Sequence, residues 1–200
     1  MGVVETRLGN VVDDHTININ GYSTLRQNRT TEGGDVVLCT WSNPRAKILA
    51  QSDTESLSKP LKPEYLICKF WGDKIPYILV CIIYRPPKIS FSDTSDFLDN
   101  LRDLCSSFSL KIIMGDFNAD LLINSSNSQL IRSLADELSL QVINHKATNR
   151  PPGAIDPKTW IDMIFFNFND SVLSFNNKLA SFHTSHNLID VEIEIFIPKP

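Results

Sequence analysis

Two apolar, β-branched runs lie almost end to end, at residues 64–71 and 76–84, parted by Gly72-Asp73-Lys74. Runs of this composition around a short turn signal read as neighbouring central strands, so the chain has to build a sheet around them. Residues 35–41 and 45–50 also read as strands, flanking Ser42-Asn43-Pro44, which makes the front of the chain hairpin-rich. Before them, residues 16–20 alternate polar and apolar ahead of Gly21-Tyr22. Val3-Val4 reads as the end of a strand whose beginning is missing.

From Ser92 the period changes. Phe97, Leu98, Leu101, Leu104, Cys105 and Phe108 recur at helical spacing, with Ser92 or Asp93 available as an N-cap. A helix is therefore expected to cross a sheet face. Residues 110–114 form a short buried strand that stops at Gly115, and Leu130, Ile131, Leu134 and Leu138 mark a second amphipathic helix before a strand at 140–143. Asn149-Arg150-Pro151-Pro152-Gly153 breaks regular structure, and strand character returns at 159–166 and 188–197. In the last run Ile189, Val191, Ile193, Ile195 and Ile197 alternate with Asp190, Glu192 and Glu194, as a sheet with one wet face requires. Many strands with few helices between them suggest an α/β sandwich of mostly antiparallel sheets, and 200 residues without a repeat or linker suggest one domain.

Nineteen Lys and Arg against 23 Asp and Glu leave a formal net charge of −4, so no whole-protein field draws the chain to nucleic acid or anionic lipid. Binding of a polyanion must be local or bridged by a metal. No apolar run approaches the roughly 20 residues that span a bilayer, so no membrane partner is expected. Cys39, Cys68, Cys81 and Cys105 stand singly in apolar stretches, without zinc or redox spacing, and read as buried reduced thiols of an intracellular protein.

Five places could carry chemistry. Lys111-Ile112-Ile113-Met114-Gly115-Asp116-Phe117-Asn118 ends a strand on a carboxylate and an amide two residues apart, which in extended chain share one side. A hard cation and a phosphate could both be met there; the bland reading is an Asx-rich turn. Glu5, straight after Val3-Val4, is either a metal ligand or a solvated surface glutamate. Asp162 is a lone charge in Trp160-Ile161-Asp162-Met163-Ile164, expensive unless paired or at a site. His183-Thr184-Ser185-His186 supplies imidazoles, and an Asp–His pair would fix the tautomer and favour the protonated form. Finally Tyr84-Arg85-Pro86-Pro87 ends a central strand with a phenol able to donate to a phosphate and a guanidinium able to hold a nucleic-acid backbone.

Taken in order, these motifs resemble the endonuclease/exonuclease/phosphatase superfamily. Within it the similarity is to the apurinic/apyrimidinic-like endonuclease domain of non-LTR, jockey-like retrotransposons. Val4-Glu5-Thr6-Arg7-Leu8 looks like its Glu-Thr-Trp-Leu segment, and Gly21-Tyr22, Arg26, Arg29 and Gly33-Gly34 look like its next block. The resemblance runs from Val3 to Ile197 and implies a DNase I-like, four-layer α/β sandwich, with two mostly antiparallel sheets face to face and helices outside. It implies Glu5 as magnesium ligand, Tyr84 as phosphate contact and Asp116 as the aspartate that orients or activates water. Asn118 would be its companion at metal and phosphate, and Asp162 would hold His186 as the catalytic histidine. Tyr84, Arg85 and Asn118 would bind substrate. The expected cofactor is Mg²⁺, or Mn²⁺; the expected partners are DNA and a reverse transcriptase domain of a parent polyprotein; the expected place is the nucleus. Three departures stand out: the family's first strand, with its Asn, would precede Val3, giving an N-terminally truncated domain over 1–200; Ser185 stands where Ser-Asp-His has its Asp; and Arg7 replaces a Trp. Two other readings are a phosphomonoesterase of the same superfamily and a catalytically inactive remnant that only binds nucleic acid or protein.

Overall fold

The computed structural model describes residues 1–6, 8, 12–17, 19–27, 34–41, 44–53, 62–73, 75–87, 89–90, 92–143, 146–150, 152–167, 172–180 and 184–194. In chain order the strands and helices are β1 (Gly2–Val4), β2 (Tyr22–Gln27), β3 (Val36–Trp41), β4 (Arg45–Gln51), β5 (Glu64–Gly72), β6 (Ile75–Tyr84), α1 (Ser95–Ser106), β7 (Leu110–Asp116), α2 (Ser126–Glu137), β8 (Gln141–Val142), β9 (Asp162–Phe166), β10 (Val172–Leu179) and β11 (Asn187–Ile193). A six-stranded sheet has the order β4-β5-β6-β7-β9-β8, a three-stranded sheet the order β1-β3-β2, and β10 pairs with β11. All neighbours are antiparallel except β6 and β7, which α1 connects as a parallel crossover.

Side chains alternate faces along a strand, and β5 and β6 are buried on both. Leu66, Cys68, Phe70, Ile78, Val80 and Ile82 pack with Val36 and Leu38 of the three-stranded sheet. The intervening Tyr65, Ile67, Leu79, Cys81 and Ile83 pack under Phe97, Leu101 and Cys105 of α1 and Ile131 of α2. This double coverage is why the two runs are continuously apolar in sequence. The molecule is thus an α/β sandwich with both described α-helices on one face of the larger sheet. A helical layer outside the three-stranded sheet is not among the described residues.

Several local expectations change. β3 and β4 do not form a hairpin: the chain leaves the smaller sheet at Trp41 and enters the larger one at Arg45, because β3 completes the inner core and β4 finds its partner in β5. Residues 14–17 make a 3-10 turn, and the strand comes afterwards, in β2. Asp93 does not cap α1; its carboxylate accepts the Ser90 hydroxyl at 2.6 Å, and the N-cap is Thr94 after a 3-10 turn. Leu130 faces outward at 45% exposure. β10 has no counterpart in the sequence reading, since Asn176 and Asn177 depress strand propensity; its pairing is closed by Asn176 Nδ2 donating to Asp190 and by Asn187 Nδ2 donating to Asn177, each 2.7 Å. Residues 195–197 of the expected last strand, with Arg7, Arg29, Gly33, His145 and His183, lie outside the described residues. All four cysteines are free and buried.

Candidate active site

The parallel pairing of β6 with β7 brings their C-terminal ends to one rim of the sheet, and antiparallel β9 begins there. Tyr84 registers with Asp116, and Asp116 with Asp162. Gly115 permits this approach: its φ is +144°, and a Cβ would fall 1.8 Å from the Ile83 carbonyl oxygen. β1 reaches the same rim from the facing sheet, and the Tyr84 hydroxyl donates to Glu5 Oε1 at 2.6 Å. Glu5 and Asn118 both have left-handed backbone, φ +54° and +45°. Asn tolerates that region readily, whereas for Glu it stores strain of about 1–3 kcal/mol, of the kind concentrated at functional sites.

Asp116 accepts two hydrogen bonds from its neighbour, from Asn118 N at 2.8 Å and from Asn118 Nδ2 at 3.1 Å. The same Nδ2 donates to the Arg85 carbonyl at 2.8 Å, which fixes the amide's orientation. His186 sits just before β11, where its Nδ1 meets Asp162 Oδ2 at 2.9 Å and Oδ1 at 3.0 Å. With Nδ1 so engaged, Nε2 is the ring nitrogen left for a substrate. Ligand atoms of Glu5, Asp116 and His186 all lie within 4.8 Å of one another, a grouping that could hold a metal ion.

Electrostatics follow from burial and crowding. Asp116 is 2% exposed. Burial first, then the negative charges of Asp162 and Glu5, push its carboxyl up to about 7, although the Asn118 bond and His186 pull the other way. His186 is raised above its ordinary value by the hydrogen bond to Asp162 and by the charges of Asp162, Asp116 and Glu5, against burial. Tyr84 is raised as well, by burial and by the Glu5 carboxylate it serves, so it stays a neutral donor. A carboxyl pushed up by burial and by negative neighbours, as that of Asp116 is, is one that a cation would relieve.

Glu5, Tyr84, Asp116, Asn118, Asp162 and His186 thus share one cleft. Arg85 does not face it as a contact for a nucleic-acid backbone. Its side chain is buried at 2% exposure, and its guanidinium donates to the carbonyls of Phe117 at 2.9 Å, Asn118 at 3.3 Å and Ile89 at 2.5 Å. It clamps the loop that carries Asp116 and Asn118. Ser185 is exposed, its carbonyl accepting from Arg150 N at 2.7 Å.

Sequence reasoning missed two supports. Glu64, wholly buried opposite Tyr84, accepts from the backbone N–H of Asp35 and packs against Gly34 so closely that a Cβ there has no room. A charge set in an apolar run is the signal that marks Asp162, and Glu64 at the head of the run 64–71 carries a weaker form of it, since Lys69 shares that run. Thr148, with no exposed surface, accepts from Ile161 N and Asp162 N through its hydroxyl, while its carbonyl accepts from Asn187 N. It ties the start of β9 to the His186 loop, and no local pattern announces it.

A family model described as endonuclease-reverse transcriptase matches residues 78–190, from the middle of β6 into β11. The chain belongs to that family. Its fold recurs in solved structures of low identity. The endonuclease domain of TRAS1, a telomere-specific non-LTR retrotransposon, aligns with a TM-score of 0.66 and 11% identity over 88% of this chain and 82% of that one. The 3′ phosphatase NExo from Neisseria, bound to a product DNA hairpin, gives 0.72 and 13% over 97% and 88%. The AP endonuclease of Leishmania major gives 0.67 and 10% over 95% and 76%. No curated protein matches by sequence. Membership of this hydrolase family makes the chain a phosphodiesterase-type enzyme in kind, with the acidic cleft as its candidate centre.

Proposed function

We propose that the chain is an endonuclease that nicks DNA with the help of Mg²⁺, or Mn²⁺, and that it does so as part of a retrotransposon protein. The observation that carries this reading is the convergence of Glu5, Tyr84, Asp116, Asn118, Asp162 and His186, drawn from five separate stretches of sequence, on one rim. The donor set suits a hard cation: Glu5 and Asp116 are carboxylates that would hold it, leaving room for the waters that magnesium retains. When bound, the ion supplies charge neutralisation at the phosphate.

The protein's own groups divide the remaining work. Asp116, a buried carboxylate fixed by Asn118 at the rim, is placed to orient a water and accept its proton. Asn118 positions that carboxylate and offers its amide at the same place. His186, held by Asp162, donates to a non-bridging phosphate oxygen, where charge builds up in the transition state. Tyr84 orients Glu5 through its hydroxyl. In-line attack by water then leaves a 3′-hydroxyl and a 5′-phosphate. The match to an endonuclease-reverse transcriptase family supports a setting in which that hydroxyl primes reverse transcription on nuclear DNA.

Supercoiled plasmid incubated with the protein tests the reading. Nicked circles are expected with Mg²⁺ and the wild-type chain, and not with EDTA, Glu5→Ala or His186→Ala. Equal nicking by wild type and both variants would overturn it.

A further inference from the structure

At the end of the larger sheet away from the catalytic rim, α1 leaves part of the outer face bare. Along β6 that end, at Tyr77, is seven residues from Tyr84, or about 23 Å. Three cations stand on this face. Arg45 of β4 registers with Trp71 of β5, and Lys47 registers directly with Lys69. Directly opposed residues share a face at close range, and like charges there repel. None of the three has an ion pair among the described residues. The Lys69 ammonium instead lies 3.7 Å from the centroid of Tyr77 and 5.3 Å from that of Trp71. Tyr77 is 59% exposed, although it belongs to a strand whose next residues are core. Beside it opens a hollow of about 490 Å³ lined by Trp71, Pro76, Tyr77 and Phe108, with Ser107 and Ser109 at its edge.

We propose that this patch is a second nucleic-acid site, built for a single strand rather than a duplex. Cations with no acidic partner among the described residues call for a polyanion, and the exposed Tyr77 ring with half-buried Trp71 beside a hollow calls for flat apolar groups. Unpaired nucleotides supply both, phosphates for Arg45, Lys47 and Lys69 and bases for Tyr77 and the Trp71 hollow. A duplex keeps its base faces stacked away from such rings. In a chain with a net charge of −4, three neighbouring cations without an ion pair among the described residues make a local positive patch. It would hold a strand at a distance from the cut and works whether or not the catalytic cleft hydrolyses.

Fluorescence anisotropy with a short labelled oligothymidylate in EDTA reads this binding directly. Wild type and His186→Ala should bind alike, with affinity falling as salt rises. Arg45→Ala/Lys47→Ala should flatten the log–log salt slope by about 1.4, from two lost phosphate contacts. Tyr77→Ala should weaken binding about fivefold or more through lost stacking. Both variants replace exposed side chains, so their unfolding temperatures and plasmid nicking should match wild type. No binding by wild type, or unchanged affinity and salt slope in both variants, would overturn the proposal. Displacement of the strand by a polyglutamate peptide at equal charge, with tighter binding of the peptide, would overturn it in favour of an acidic protein partner. Nicking lost in His186→Ala with strand binding kept separates this site from the catalytic one.

Discussion

Asp116→Asn should stabilise the metal-free protein above neutral pH while it abolishes nicking. Folding buries this carboxylate to 2% exposure beside Asp162 and Glu5, and its pKa rises to about 7. In the unfolded chain an aspartate titrates near about 3.9. Between these values the folded state holds the extra proton, so stability declines as pH climbs from about 4 and the loss is complete once pH passes about 7. A rise of about three pKa units at about 1.4 kcal/mol each amounts to something on the order of 4 kcal/mol. For a chain of this length that is on the order of 10 °C in Tm. Asn keeps the shape and still accepts from Asn118 N, but its amide would confront Asn118 Nδ2, now 3.1 Å from Asp116 Oδ2. That mismatch costs about 1 kcal/mol at every pH. Thermal unfolding in EDTA, stepped from about pH 4 to about pH 8.5, should therefore show a variant slightly weaker than wild type at the acid end and more stable by several degrees at the alkaline end. A Tm difference that does not change with pH, or a wild type that remains the more stable at the alkaline end, would refute the claim that the folded state holds an uncompensated charge here.

Asp162→Asn removes the acceptor that keeps His186 protonated, so the alkaline limb of the nicking pH–rate profile should move toward the ordinary histidine value of about 6.5, with the rate down about 10²–10⁴-fold. The stability that the pair contributes is full below that ordinary value and is lost as pH rises through the raised one, so wild type and variant should converge in Tm at alkaline pH; an unmoved limb would sink the pairing. Arg85→Met strips donors from the carbonyls of Phe117, Asn118 and Ile89. At about 1–3 kcal/mol for each buried group left unpaired, Tm should fall by on the order of 10 °C and nicking should fall with it. If only DNA affinity drops while Tm is kept, the side chain contacts substrate after all.

Asp162, Asp116, Asn118, Tyr84 and Arg85 were legible because each breaks a local rule, whereas Glu5 and His186 stand out only through the family resemblance. Asp162 interrupts an apolar strand, Asp116 and Asn118 follow a glycine that ends one, and Tyr84-Arg85 closes another. Arg85 shows the limit of such reading. The side chain of a strand-terminal arginine can turn outward to solvent or inward to orphan carbonyls, and the inward choice depends on loops more than 30 residues away in sequence. β3 and β4 failed for a similar reason: a turn signal marks a change of direction, and pairing is decided by which partner strand has a free edge.

Periodicity alone determined that this chain builds apolar central strands, a last strand with one wet face and two amphipathic helices, because repeats of two and of 3.6 are properties of backbone geometry. Tertiary structure alone decided which carboxylates become neighbours. Asp116 and Asp162 share a register position only once β7 and β9 pair, and Glu5 meets Tyr84 only across the gap between two sheets. Charges interact through space and not along the chain, so the perturbed proton affinities that make these groups useful exist only in the folded molecule.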